Sequence, residues 1–409
     1  MGRANSEIDR LTDVMVHKPG VETLLGTLDP EPNLFLSSFN WYEAYKEHDN
    51  FVEILEKEKI NVHYLSNLVI NHKDFEKEFM NKIYLDPQLS VMERKDIYQS
   101  LQKVDKTSKF QVMILNAFLS REKEDSSVMD LNFNQNVRQM KSRIVINGPL
   151  SNLYFMRDQQ FLTNKGMVLC RMKMPTRRPE PEITKLALES YGEIDIVHEI
   201  RAPGTIEGGE FFPFGDLAFI GVGYQENNIL YGRTNMEAVQ QVLNTKVMDY
   251  DEVFVVESPI PFVRKVYKVK PQEEGMVIMH LDTWFNLPSK NQVVVYPEMA
   301  EAARVYCYTK DSGEYVKRET TTLMDIIKEK DYQVLPISYE EQKYSASNFL
   351  TISDGKIIPI NLMHLGTNYP KRLIKEGLDL VPGDEGINVI NLTKGYGGIH
   401  CMTGVLNRS

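Results

Sequence analysis

A unit of hairpin, helix and strand recurs along this chain, and that recurrence restricts its fold more than any single motif. Phe161 to Met172 reads as two apolar runs around Asn164-Lys165-Gly166, a hairpin signal, followed by a helical stretch at 182–191 and an extended run from Glu193 to Ile200. The order returns at Phe211 to Gly223, turning at Gly215-Asp216, with a helix at 235–246 and a strand from Val253 to Ser258. It returns again at Phe349 to Ile360, turning at Asp354-Gly355, with a helix at 369–376 and a strand at 387–391. A looser copy pairs Met279–Leu287 with Gln292–Tyr296 and adds a helix at 321–330 and a strand at 332–337. The start of the chain holds an incomplete copy: Asp13 to His17, the helix Trp41 to Lys57 and the strand Ile60 to Leu65. Its missing strand is supplied by Cys401 to Leu406 at the far end. The pattern predicts an α/β fold, a five-bladed ββαβ propeller closed by pairing the two termini, which leaves few exposed strand edges.

One segment stands outside the repeat. Residues 67–145 show helical apolar spacing and no hairpin signal, which predicts an inserted helical subdomain between two parts of the propeller, 1–66 and 146–409. With 47 Lys and Arg against 57 Asp and Glu, the net charge of −10 argues against nucleic acid or an anionic membrane surface as partner. Three widely spaced cysteines, none in C-x-x-C, argue against a disulfide framework or structural zinc and for a reduced cytoplasmic setting.

The candidate chemistry falls at equivalent places in successive units. Asp158 and Glu207 lead into the second and third hairpins, His280 and Asp282 open the fourth, and Cys401 opens the strand that completes the first. Equivalent strand ends converge on the axis of a propeller, so these residues are expected to share one pocket. A cysteine thiolate is the nucleophile of such a set, His280 moves protons and Glu207 orients it. Asp158 and Asp282 are then surplus anions that need a cation, and no metal-ligand spacing is present. A planar guanidinium held bidentately by carboxylates is the best geometric match.

The segments VMVHKPG, NLYFMRD, MPTRRPEPE, IEGGE, MHLDTWF and GGIHCMT, in this order, resemble those of the arginine deiminases, in the guanidine-modifying (pentein, or amidinotransferase-fold) superfamily. The inserted segment is also similar to theirs. The resemblance implies hydrolysis of free L-arginine to L-citrulline and ammonia through a covalent Cys401 thiouronium, with His280 as acid and base, Glu207 supporting it, and Asp158 and Asp282 on the guanidinium nitrogens. It further implies Asn152, Phe155, Arg177, Arg233 and His400 as substrate-binding residues, with the two arginines at the α-carboxylate. It implies no metal and no cofactor, and the expected assembly is a homo-oligomer. The chain departs from the family pattern at four places: EGGD is EGGE here, at Glu210; Tyr224-Gln225-Glu226-Asn227-Asn228 intervenes before Arg233; a G-R-G context before the nucleophile reads Gly395-Tyr396-Gly397; and SNLY replaces PNLY. Alternative readings are an arginine dihydrolase releasing ornithine, ammonia and carbon dioxide, an amidino transferase, and a non-catalytic arginine-binding protein.

Overall fold

The computed structural model describes residues 2–123, 140–146, 148–268 and 278–409. Five of its sheets are built alike, each around a central strand that is antiparallel to one neighbour and parallel to the other. In chain order the first joins both termini: Leu11–Val16 pairs antiparallel with Gly404–Arg408 and parallel with Asn61–Tyr64. The second comprises Gln160–Leu162, Met167–Leu169 and Ile196–Glu199. The third is built on Phe211–Phe214, Leu217–Val222 and Glu252–Glu257. The fourth comprises Phe285–Ser289, Gln292–Val295 and Gln333–Pro336, and the fifth Leu350–Ser353, Lys356–Ile358 and Asp379–Leu380.

Parallel neighbours cannot be joined by a tight turn, so each unit carries a crossover helix. The first shows why these residues make one. Asn40 caps Trp41–Lys57 by accepting the N–H groups of Tyr42 and Glu43 at 3.1 and 3.3 Å, worth about 1 kcal/mol. Ala44, His48, Phe51, Val52 and Leu55, spaced three or four apart, form its buried face. Most of the apolar core is one cluster shared by all five sheets, and a second lies between the second and third, around Phe161, Phe211, Val239 and Val253.

The structure corrects four expectations. Arg304–Asp311 and Glu314–Thr322, not anticipated as strands, extend the third sheet to five. Their turn places Ser312 and Gly313 at φ 52° and 87°, as a tight two-residue hairpin requires. The outer strand carries Lys317, Arg318 and Glu319, charges that protect an open edge. The segment 67–145 is not helical throughout. It holds Phe75–Asn81, Val91–Gln102 and Lys106–Ile114, but Asn116 turns left-handed at φ 52° and the chain continues as Ala117–Lys123, paired with Met140–Ile146 and Tyr84–Leu85. In the fifth unit the parallel strand is Asp379–Leu380, ended by Pro382, whereas in 387–391 only Ile387 makes a bridge. In the fourth, Leu281–Thr283 forms a 3-10 turn, so His280 and Asp282 precede the strand and are not on it. No helix among the described residues is long and apolar enough to cross a membrane.

Candidate active site

Each of the five sheets delivers a polar side chain from the residues just ahead of an outer strand. Asp158 precedes Gln160–Leu162, Glu207 the turn into Phe211–Phe214, Asp282 lies in the turn before Phe285–Ser289, and Cys401 precedes Gly404–Arg408. The fifth sheet supplies Asn348, ahead of Leu350–Ser353, and this residue was not anticipated. Its amide fixes the thiol from two sides. Nδ2 donates to Cys401 Sγ at 3.2 Å, while Oδ1 accepts the N–H groups of Gly398 and Cys401 at 2.9 and 3.1 Å. Asp282 Oδ2 lies 3.4 Å from the sulfur on another side. The signal was available in the repeat, since Asn348 occupies the place that Asp158, Glu207, Asp282 and Cys401 occupy in their own units.

His280 is wedged between two carboxylates, with Nε2 2.9 Å from Glu207 Oε2 and Nδ1 3.6 Å from Asp158 Oδ1. Burial opposes charging this ring, but Asp158 and Glu207 outweigh it and push the pKa up to about 9. Glu207, which burial alone would raise, is held down at about 2 by its bond to His280 and by nearby Arg233 and Arg177. Burial raises Asp158 despite the His280 and Arg177 charges beside it. The Cys401 thiol is raised well above its ordinary range by burial and by Asp282 and Asp158, against the donors from Asn348 and Gly398. The site therefore holds a charged imidazolium beside a neutral thiol at neutral pH.

The expected binding residues are distributed unevenly. Asn152, Phe155, Asp158, Arg177, His280 and Cys401 line a small cavity. Arg177, expected at a substrate carboxylate, reaches Asp158 Oδ2 at 2.7 Å and Glu180 through NH2 and Nε at 2.8 and 3.0 Å. His400 lies behind the cavity: Nδ1 is 2.8 Å from Asp282 Oδ2, Nε2 is 3.4 Å from Glu7 Oε1, and the ring stacks on Phe212. Glu7 also accepts from Arg408 at 2.6 Å and had no signal in the sequence. Arg233 is buried outside the cavity lining, close enough to Glu207 to feel its charge. Glu210 accommodates its longer chain against Gly221, where a Cβ would fall 1.8 Å from Glu210 Oε2, and that oxygen accepts the Leu281 N–H at 2.7 Å.

Asp158, Glu207 and His280, dispersed in sequence, bring possible metal-ligand atoms within 4.8 Å of one another. Arg177 already bonds Asp158 and both His280 ring nitrogens face carboxylates, an arrangement that suits an organic cation better than a metal. Two buried oxygens, Asp158 Oδ1 and Asp282 Oδ1, have no hydrogen-bond partner among the described residues. They are acceptors suited to the N–H groups of such a cation.

Comparison with known proteins identifies the family. The family model for arginine deiminase matches residues 33–408. An arginine deiminase of Halobacterium salinarum is 28% identical, over 100% of this chain and 96% of its own, and one of Oenococcus oeni is 26% identical, over 98% and 95%. Among solved structures, a DDAH from Pseudomonas aeruginosa complexed with citrulline superposes with a TM-score of 0.52 at 14% identity, covering 98% of this chain and 100% of that one. The N-terminal domain of a cyanobacterial arginine dihydrolase superposes at 0.54 with 12% identity, covering 97% of each chain. These neighbours share the pentein fold, and the match along nearly the whole chain places this protein in the arginine deiminase family.

Proposed function

We propose that this chain hydrolyses free L-arginine to L-citrulline and ammonia, with Cys401 as nucleophile. The observation that carries the reading is the placement of Cys401 Sγ between Asn348 and Asp282, at a cavity shared with His280 and lined by Asp158, whose Oδ1, like Asp282 Oδ1, has no hydrogen-bond partner among the described residues. The substrate guanidinium takes Asp158 Oδ1 and Asp282 Oδ1, while Asp158 Oδ2 keeps Arg177. Bringing a cation to the sulfur favours the thiolate, so substrate binding offsets the raised thiol pKa and the thiol proton leaves to solvent, where the released ammonia takes one up. The sulfur attacks the guanidinium carbon. His280 protonates the departing nitrogen, the C–N bond breaks and ammonia leaves a thiouronium on Cys401. His280 then takes a proton from water, whose oxygen attacks the same carbon, and the C–S bond breaks to return thiol and citrulline. Glu207 holds the imidazolium throughout.

The same reading sets the five like-built sheets in a closed ring, a five-bladed propeller with its pocket on the axis and 67–145 inserted as a separate subdomain. It places a homo-oligomeric protein in the cytoplasm, in keeping with three cysteines that form no disulfide. Amino-acid analysis after incubation with L-arginine tests the function: citrulline and ammonia in equal amounts, absent from Cys401→Ala, are expected. Ornithine with two ammonia per arginine would replace the deiminase reading by the dihydrolase one. A turning-over Cys401→Ala would refute the nucleophile.

A further inference from the structure

Just ahead of Cys401, residues 391–397 separate the inner cavity from a wider cleft of about 620 Å³, and Tyr396 lines both. The inner side of this partition is packed without slack. A Cβ on Gly397 would come within 2.6 Å of the Phe155 ring and 3.1 Å of Cys401 Cβ, and Tyr396 holds a left-handed φ of 67°. The partition has ties to residues 36–47. The Leu36 N–H donates to Lys394 O at 2.9 Å, and Lys394 Nζ donates to Ser38 O at 2.9 Å. The densest tie is Glu47, whose carboxylate accepts the N–H groups of Asn391 and Leu392 and the Asn391 side-chain amide, each at 2.9 Å. Glu47 extends from the helix Trp41–Lys57, which is anchored in the core through Ala44, His48 and Phe51. Its anchor point is therefore rigid, and it touches neither Cys401 nor the cavity.

We propose that Glu47 is a positioning residue, a latch that keeps residues 391–397 closed over Cys401 and admits ligand only when its bonds to Asn391 and Leu392 open. The proposal rests on reading the inner cavity as the arginine site. Without the latch the closed partition is a smaller fraction of the population. The open fraction that exposes Cys401 rises, whereas substrate affinity and turnover at saturation change little, because the closed state loses the same bonds with and without ligand.

The test uses full-length Glu47→Ala and Glu47→Gln, with kinetics on L-arginine, thermal melting, and iodoacetamide labelling read at each cysteine by peptide mass. Buried Cys170 and Cys307 are internal references. Glu47→Ala is expected to label Cys401 about tenfold faster than wild type, the scale of one charge-assisted hydrogen bond, with KM and kcat each within about twofold. Glu47→Gln, which keeps one acceptor oxygen, is expected to fall between. Unchanged Cys401 labelling in both variants would overturn the latch. So would parallel acceleration at Cys170 and Cys307, which would mark a general loosening. The labelling arm reads access to Cys401 even if Cys401→Ala shows that this cysteine is not the nucleophile, so the two failures are distinguishable.

Discussion

Asn348 offers the sharpest perturbation of the thiol, because one amide both donates to the sulfur and holds the backbone that carries it. Asn348→Ala removes the 3.2 Å donor to Cys401 Sγ and strands the N–H groups of Gly398 and Cys401. A hydrogen bond to a charged acceptor is worth about 1.5–3 kcal/mol, so losing it where a thiolate forms lowers kcat/KM by about 10- to 100-fold. Asn348→Asp separates the two functions. It preserves an acceptor for the stranded N–H groups but sets a carboxylate where the donor stood. At 3.2 Å and an effective dielectric of about 20, two like charges repel by about 5 kcal/mol, which the site relieves by keeping a proton on one of them. The Asp variant should therefore be at least about tenfold slower than the Ala variant, and its kcat/KM profile should rise at higher pH. The assay is citrulline release across pH 6–10, alongside thermal melting to confirm that both variants fold. An Asp variant that matches wild type, or exceeds the Ala variant at neutral pH, would refute the claim that Asn348 serves the thiolate as a donor.

Two further predictions use pH as the perturbation. His48 is fully buried with neither ring nitrogen partnered among the described residues, and burial together with nearby His17 and Lys18 pushes it down to about 3. Its folded pKa lies below the unfolded value of 6.5, so the unfolded chain binds the extra proton and stability falls as pH drops from 6.5 towards 3. The full linkage is on the order of 5 kcal/mol, and His48→Leu should flatten this part of the urea-unfolding profile; an identical acid slope in the variant would contradict it. Glu210 is pushed up to about 8 by burial and by Asp282 and Glu207, so the folded state prefers its neutral form. Its contribution is greatest below the unfolded value of 4.5 and declines as pH rises towards 8, so Glu210→Gln should lose less stability between pH 5 and pH 8 than wild type. Equal losses in urea titrations at the two pH values would sink that assignment.

The repeat, the crossover helices and the pairing of the termini were legible because hydrophobic periodicity and turn residues are local signals. The helix Trp41–Lys57 was placed to the residue, and the hairpins around Gly215 and Gly355 turn where they were expected. Errors came where tertiary context overrode local pattern. Glu314–Thr322 lacks an apolar face and becomes a strand only because Arg304–Asp311 offers it an edge. Ala117–Lys123 continues an apolar run that reads as helix until Asn116 reverses the chain.

The site divides in the same way. Asp158, Glu207, His280, Asp282 and Cys401 could be named from sequence because a repeated unit puts equivalent residues at equivalent strand ends. What those residues do to one another depends on distances of a few ångströms between segments up to hundreds of residues apart. The sequence by itself determined the unit, its order and the residue types brought to the strand ends. Only the tertiary structure decided that Asn348 holds the thiol, that His280 is charged between Glu207 and Asp158, that Arg177 closes on Asp158 and Glu180, and that Glu47 ties down residues 391 and 392. Hydrogen bonds and buried charges act over short distances in a low dielectric, and chain separation carries no record of them.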